Sequence, residues 1–159
     1  EILSGLVGSE MCIRDSEDIK VVVEEAIVGQ EVECAVLGLS RPEASIVGEI
    51  ASGAEFYDYD DKYKNGAAKL FIPAHIPEET AEEVRENALR AYRMLGCSGL
   101  ARVDFFVRKS DGAVLLNELN TLPGFTSISM YPKLWEASGL SYPELLDRLI
   151  QLAFEKVYF

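Results

Sequence analysis

Apolar and polar positions along this chain follow two periods, and the switch between them divides it into strands and helices. Residues 19–25, 31–39, 44–50 and 68–72 are short β-branched or apolar runs, which predicts four strands, the second entered through a turn at Gly29. From Pro77 the period lengthens. Ala81, Val84, Ala88, Tyr92 and Leu95 recur at helical spacing, so a helix is expected over 77–95. Glu78, Glu79, Glu82 and Glu83 crowd its positive N-terminal end, and Gly96 stops it. Period two returns in 100–109 and 113–119, joined by Ser110-Asp111-Gly112 as a three-residue hairpin loop. A short helix is expected over 132–137, with Leu134 and Trp135 in the core. A last helix starts at Ser141, with Glu144 completing a capping box. Its expected buried stripe is Leu145, Leu146, Leu149, Ile150 and Ala153. This order of elements predicts an α+β fold, a largely antiparallel sheet flanked by helices.

Two stretches fall outside the pattern. Residues 1–16 have no clear period and no partner segment, and they are expected to be a foreign or disordered stretch ahead of a domain over 17–159. Residues 52–66 form a long polar, aromatic loop, and loops of that length inside a compact domain are usually functional or disordered.

Charge and composition narrow the chemistry. The 159 residues carry a net charge of −12, which argues against nucleic acid as a partner. A nucleotide stays allowed, because Mg²⁺ can bridge carboxylates and phosphates. No apolar run reaches the ~18 residues of a membrane span, and no signal peptide is recognisable. Cys12, Cys34 and Cys97 lack metal-like spacing; their odd number suits a reducing cytosol, and the last two read as buried. His75 is the only histidine, which excludes a multi-histidine metal site. No phosphate-binding GxxxxGK[ST] loop or GxGxxG fingerprint is present.

The hairpin is the richest segment. Its predicted register sets Lys109 against Ala113, hence Asp104 against Glu118 and Arg102 against Asn120. Directly opposed Cβ atoms lie about 5 Å apart, so one face would gather two carboxylates, an amide oxygen and a guanidinium. Such clustered oxygens suit Mg²⁺. A solvated hairpin face with one cross-strand ion pair fits the spacing equally well.

Three segments, taken in order, break that tie. They are residues 23–31 (Val-Glu-Glu-Ala-Ile-Val-Gly-Gln-Glu), residues 56–63 (Phe-Tyr-Asp-Tyr-Asp-Asp-Lys-Tyr), and the hairpin with its Asn-Thr-Leu-Pro-Gly-Phe-Thr-Ser loop. Together with Gly96-Cys97-Ser98-Gly99 they resemble the C-terminal part of the D-alanine–D-alanine ligases, a family of the ATP-grasp fold. The resemblance runs from about Ile19 to Glu155.

It implies an ATP-dependent carboxylate–amine ligase that makes D-alanyl-D-alanine through an acyl phosphate, in the cytoplasm, for peptidoglycan. D-lactate or D-serine as the second substrate, and a non-catalytic domain keeping the fold, are the rivals. By resemblance Asp104, Glu118 and Asn120 hold two Mg²⁺ ions, with Mn²⁺ as an allowed substitute, and Glu118 bridges them. Arg102 holds the reacting carboxylate and later the oxyanion. Glu24, Glu25 and Ile27 border the adenine of ATP, and Glu31 takes its ribose. Lys62 and Tyr63 lie on a loop that closes over the reaction, and Ser129 grips the carboxylate of the second D-alanine. The substrates are D-alanine and ATP, and a homodimer is compatible with the full-length enzyme. The family's N-terminal and central domains have no counterpart in these residues, so this polypeptide alone is expected to be inactive.

Overall fold

A computed structural model describes residues 25–51 and 69–155. Within them the elements run β1 (Gly29–Gly38), β2 (Glu43–Ala51), β3 (Lys69–Phe71), α1 (Glu78–Met94), β4 (Gly99–Arg108), β5 (Val114–Asn120), α2 (Met130–Ala137) and α3 (Tyr142–Glu155). The five strands form one sheet in the order β3-β2-β1-β4-β5, and every pair is antiparallel. The α+β expectation therefore holds. The predicted strand over 19–25, the segment 1–16 and the loop 52–66 fall wholly or almost wholly outside the described residues.

Helices cover both faces of the sheet. Val32, Cys34 and Val36 of β1 point to one face, with Val103, Phe105 and Val107 of β4, and meet Val84, Ala88 and Tyr92 of α1. The alternate residues Ala35 and Leu37 point the other way, toward Met130, Tyr131, Leu134 and Trp135 of α2 and Leu145 of α3. A strand buried on both sides reads as a continuous apolar run, as β1 does from Val32 to Leu37 apart from Glu33. Two tyrosines clamp its far end from opposite faces. Tyr92 donates to the carbonyl of Gly38 at 2.8 Å, and Tyr131 to that of Val36 at 3.0 Å.

Local signals set the helix ends. Pro77 stands just ahead of α1, and Gly96 follows it with φ +65°. In the left-handed region a glycine pays no Cβ penalty. The backbone N–H of Ser141 donates to the Glu144 carboxylate, which is one half of a capping box, and the Ser141 hydroxyl donates to the same carboxylate. These bonds hold the Glu144 carboxyl below its usual range. The buried stripe of α3 differs from the expected one. Leu145 is fully buried and Leu149 and Leu152 pack on the core, while Leu146, Ile150 and Ala153 are exposed. Only one side of α3 meets the sheet, so the apolar surface is wider than the contact it makes.

Candidate active site

The opposite-face strip of the sheet changes character along β1 and β4. At one end Ala35, Leu37 and Leu100 lie beneath α2 and α3. Two residues further along each strand, the same face carries Glu33 on β1 and Arg102 and Asp104 on β4, in a register that pairs Glu33 with Asp104 and Ala35 with Arg102. On the other side of β4, Arg102 pairs with Asn120 and Asp104 with Glu118 of β5. The predicted cross-strand pairs are thus present.

They arise by a different route from the one expected. The hairpin closes at Arg108 and Ala113, not at Lys109 and Ala113, with Gly112 donating back to the Arg108 carbonyl at 2.8 Å. That is one residue out of the predicted register. The pairs Phe105–Leu116 and Asp104–Glu118 leave Asn117 as an extra residue in β5. This bulge restores the predicted pairing. It also sends Leu116 to the α1 face with Phe105 while Glu118 stays beside Asp104.

Arg102 is the centre of the cluster. Its Nε and one terminal nitrogen donate to both Asp104 oxygens at 2.8 and 2.7 Å. Its Nε lies 3.2 Å from Glu33 Oε2, and the same terminal nitrogen 3.8 Å from Glu118 Oε1. The side chains of Arg102, Asp104 and Glu33 are nearly buried, and that of Glu118 is open to solvent. Burial opposes the guanidinium's charge. The bonds to Asp104 and the charges of Glu33, Asp104 and Glu118 outweigh it and raise the Arg102 pKa.

Three carboxylates around one guanidinium leave a formal charge of −2, a match for a divalent cation. No three carboxylate, thiol or imidazole groups converge as a cage among the described residues. A donor set of one or two carboxylates would suit a divalent cation such as Mg²⁺ whose remaining positions go to water and phosphate. Asn120 Oδ1 already accepts the N–H of Leu122 at 3.0 Å, and its second lone pair remains for another partner.

The other expected residues sit apart from this cluster. Glu31 shares its face one strand position further out, opposite Phe106. Glu25 and Ile27 lie in the extended segment leading into β1, near the hairpin end of β4, where Val28 accepts the N–H of Lys109. Ser129 precedes α2, and its hydroxyl is engaged within its own loop by the N–H and hydroxyl of Thr126 at 2.9 and 2.8 Å. Glu24, Lys62 and Tyr63 lie outside the described residues. Sequence reasoning missed Glu33. Its position two residues from Glu31 places both on one face, but only the adjacency of β1 and β4 shows what Glu33 meets.

The described residues form a five-stranded antiparallel sheet with one helix on one face and two on the other, and the solved structures they resemble are ligases of the ATP-grasp fold. The family model described as "D-ala D-ala ligase C-terminus" matches residues 13–151. The chain belongs to that family. It is 61% identical over 139 residues to the D-alanine–D-alanine ligase of Acetivibrio thermocellus, covering 87% of this chain and 37% of that relative. The D-alanine–D-alanine ligase of Bacillus anthracis complexed with ATP superposes with a TM-score of 0.73 at 34% identity, over 92% of this chain and 47% of that one. The VanG D-Ala:D-Ser ligase of Enterococcus faecalis gives 0.71 at 45% identity, over 81% and 37%. The chain thus spans less than half the length of each of these relatives.

Proposed function

We propose that residues 17–159 form the nucleotide- and metal-binding part of an ATP-dependent ligase that joins two D-alanines into D-alanyl-D-alanine, a cytoplasmic precursor of peptidoglycan. The observation that carries this reading is the Asp104–Glu118 cross-strand pair beside the buried Arg102, with its excess of negative charge. Asp104, Glu118 and Asn120 would hold one or two Mg²⁺ ions, which neutralise phosphate oxygens when bound. Arg102 supplies a planar fork of donors for the reacting carboxylate and then for the oxyanion formed when the second amine attacks the acyl phosphate.

The order of groups along β1 supports a nucleotide laid lengthwise. Glu31 and Glu33 follow one another along β1 toward the Asp104 position, and Ile27 lies in the segment just ahead of the strand. The base would lie at Glu24, Glu25 and Ile27, the ribose at Glu31 and the phosphates at the metal ligands. Lys62 and Tyr63 would close over the reaction and keep water from the acyl phosphate. Ser129 would orient the second substrate once its hydroxyl turns from Thr126. The likeness to a D-Ala:D-Ser ligase keeps D-serine as a second reading for the incoming amine.

The test is a hybrid in which residues 13–151 replace the matching stretch of the Acetivibrio thermocellus ligase. ADP release dependent on D-alanine is expected, and Glu118→Gln should abolish it. A folded hybrid without that activity, or an active Glu118→Gln variant, refutes the assignment. Product analysis with D-alanine, D-serine and D-lactate in competition separates the substrates. The 159-residue polypeptide alone is expected to release no ADP with D-alanine.

A further inference from the structure

In the reading above, Asp104 is drawn by two cations at once. Both of its oxygens are engaged by the Arg102 fork. In the reading above the same carboxylate also binds a divalent cation, which repels the guanidinium beside it. A second carboxylate stands ready. Glu33 is 4% exposed, sits directly across from Asp104 in the β1–β4 register, and brings Oε2 to 3.2 Å from Arg102 Nε.

Folding alone gives little reason for that placement. The guanidinium is already paired by Asp104, and burying a further charge within the run from Val32 to Leu37, otherwise apolar, carries a desolvation cost. Its neighbours on the same face toward the helices, Ala35 and Leu37, are apolar core residues. We propose that Glu33 is a positioning residue that retains the Arg102 guanidinium when Asp104 turns to the metal. Arg102 then keeps its place beside the reacting carboxylate, and Asp104 is released as a ligand without losing the cluster's charge balance. Glu33 touches neither metal nor substrate; it acts through Arg102. The inference rests on the ligase reading and deepens it.

The experiment compares Glu33→Gln and Glu33→Asp in the hybrid enzyme. Three quantities are read: Mn²⁺ binding by calorimetry without nucleotide, the Mg²⁺ half-saturation of ADP release, and the melting temperature of the metal-free protein. Outer partners of a metal ligand typically change affinity by 10–100-fold. Glu33→Gln should therefore weaken Mn²⁺ binding and raise the Mg²⁺ half-saturation by about tenfold, with the metal-free melting temperature kept or raised. Glu33→Asp, which keeps the charge, should recover most of the metal affinity. Unchanged Mn²⁺ binding in Glu33→Gln overturns the proposal and leaves the ligase reading standing. Equal losses in Gln and Asp variants also overturn it, because charge would not be the cause. A wild-type hybrid that binds no Mn²⁺ removes the ligase reading and this one with it.

Discussion

Arg102 and Asp104, two residues apart on one face of β4, form a two-point guanidinium–carboxylate pair that is almost closed to water. Charge-assisted bonds in that setting contribute more than surface pairs do. The two partners are nonetheless not equivalent. Asp104→Asn leaves Arg102 with Glu33, and should cost about 1.5–3 kcal/mol, the range for a hydrogen bond to a charged group. Arg102→Met leaves Glu33 and Asp104 facing each other across β1 and β4 without a cation. That should cost about 3–5 kcal/mol, as for a broken buried ion pair. Urea denaturation of the 159-residue chain gives both values, and the reverse order would contradict the geometry.

The tyrosine clamp on β1 makes stability sensitive to alkali. Burial, with a smaller effect from Cys97, pushes the Tyr92 hydroxyl up to about 12, and burial raises that of Tyr131 as well. In the unfolded chain both titrate near 10. A group whose pKa is raised on folding contributes fully below its unfolded value and loses that contribution as the pH climbs toward the folded one. Stability should therefore fall between pH 10 and 12, measured by urea midpoints at successive pH values. Tyr92→Phe and Tyr131→Phe should each reduce the steepness of that fall. Each should also cost about 1–3 kcal/mol at pH 7, because a buried carbonyl loses its donor.

What the sequence made legible follows from range. Helix α1 announced itself through Glu78, Glu79 and Gly96, all local signals, and β1, β2 and β4 through runs of apolar residues. The four hairpin groups were legible because two strands joined by a short turn have few registers to choose from. Glu33 was not, because its meeting with Asp104 depends on pairing between strands some seventy residues apart in the chain. The buried side of α3 was misjudged for the same reason: periodicity marks Leu146 and Ile150 as apolar, but only tertiary contact decides which apolar residues the sheet covers. Ser129 shows the converse. Its loop was readable, and its hydroxyl's bond to Thr126 within that loop was not.

Gly29 permits the close approach that starts β1 beside the end of β4. A Cβ added there would stand 2.3 Å from the Val107 carbonyl oxygen and 2.9 Å from its carbon, both rigid backbone atoms. Gly29→Ala should therefore push the strands apart just ahead of Glu31, at about 1–3 kcal/mol, the usual cost of overpacking. In the hybrid enzyme the Michaelis constant for ATP should rise more than that for D-alanine, because the disturbed end of β1 is the proposed nucleotide side. Equal effects on the two constants would place the nucleotide elsewhere.

Asn117 offers a separate test of how the metal ligands are aimed. Both flanking pairs, Phe105–Leu116 and Asp104–Glu118, can form without it, since it is the residue left over between them. Deleting it should leave the sheet paired and the chain folded, with a melting temperature close to that of the parent. A bulge adds local twist, however, and β5 lies at the sheet's edge among the described residues, so Glu118 takes its angle from β4 alone there. The straightened strand should turn the Glu118 carboxylate away from Asp104. In the hybrid enzyme this should raise the Mg²⁺ half-saturation by about tenfold, the lower end of the range for disturbed metal sites. If instead the deletion abolishes folding, the bulge is needed for the pairing of β5 with β4. If the metal dependence is unchanged, Glu118 is not aimed by the bulge at all.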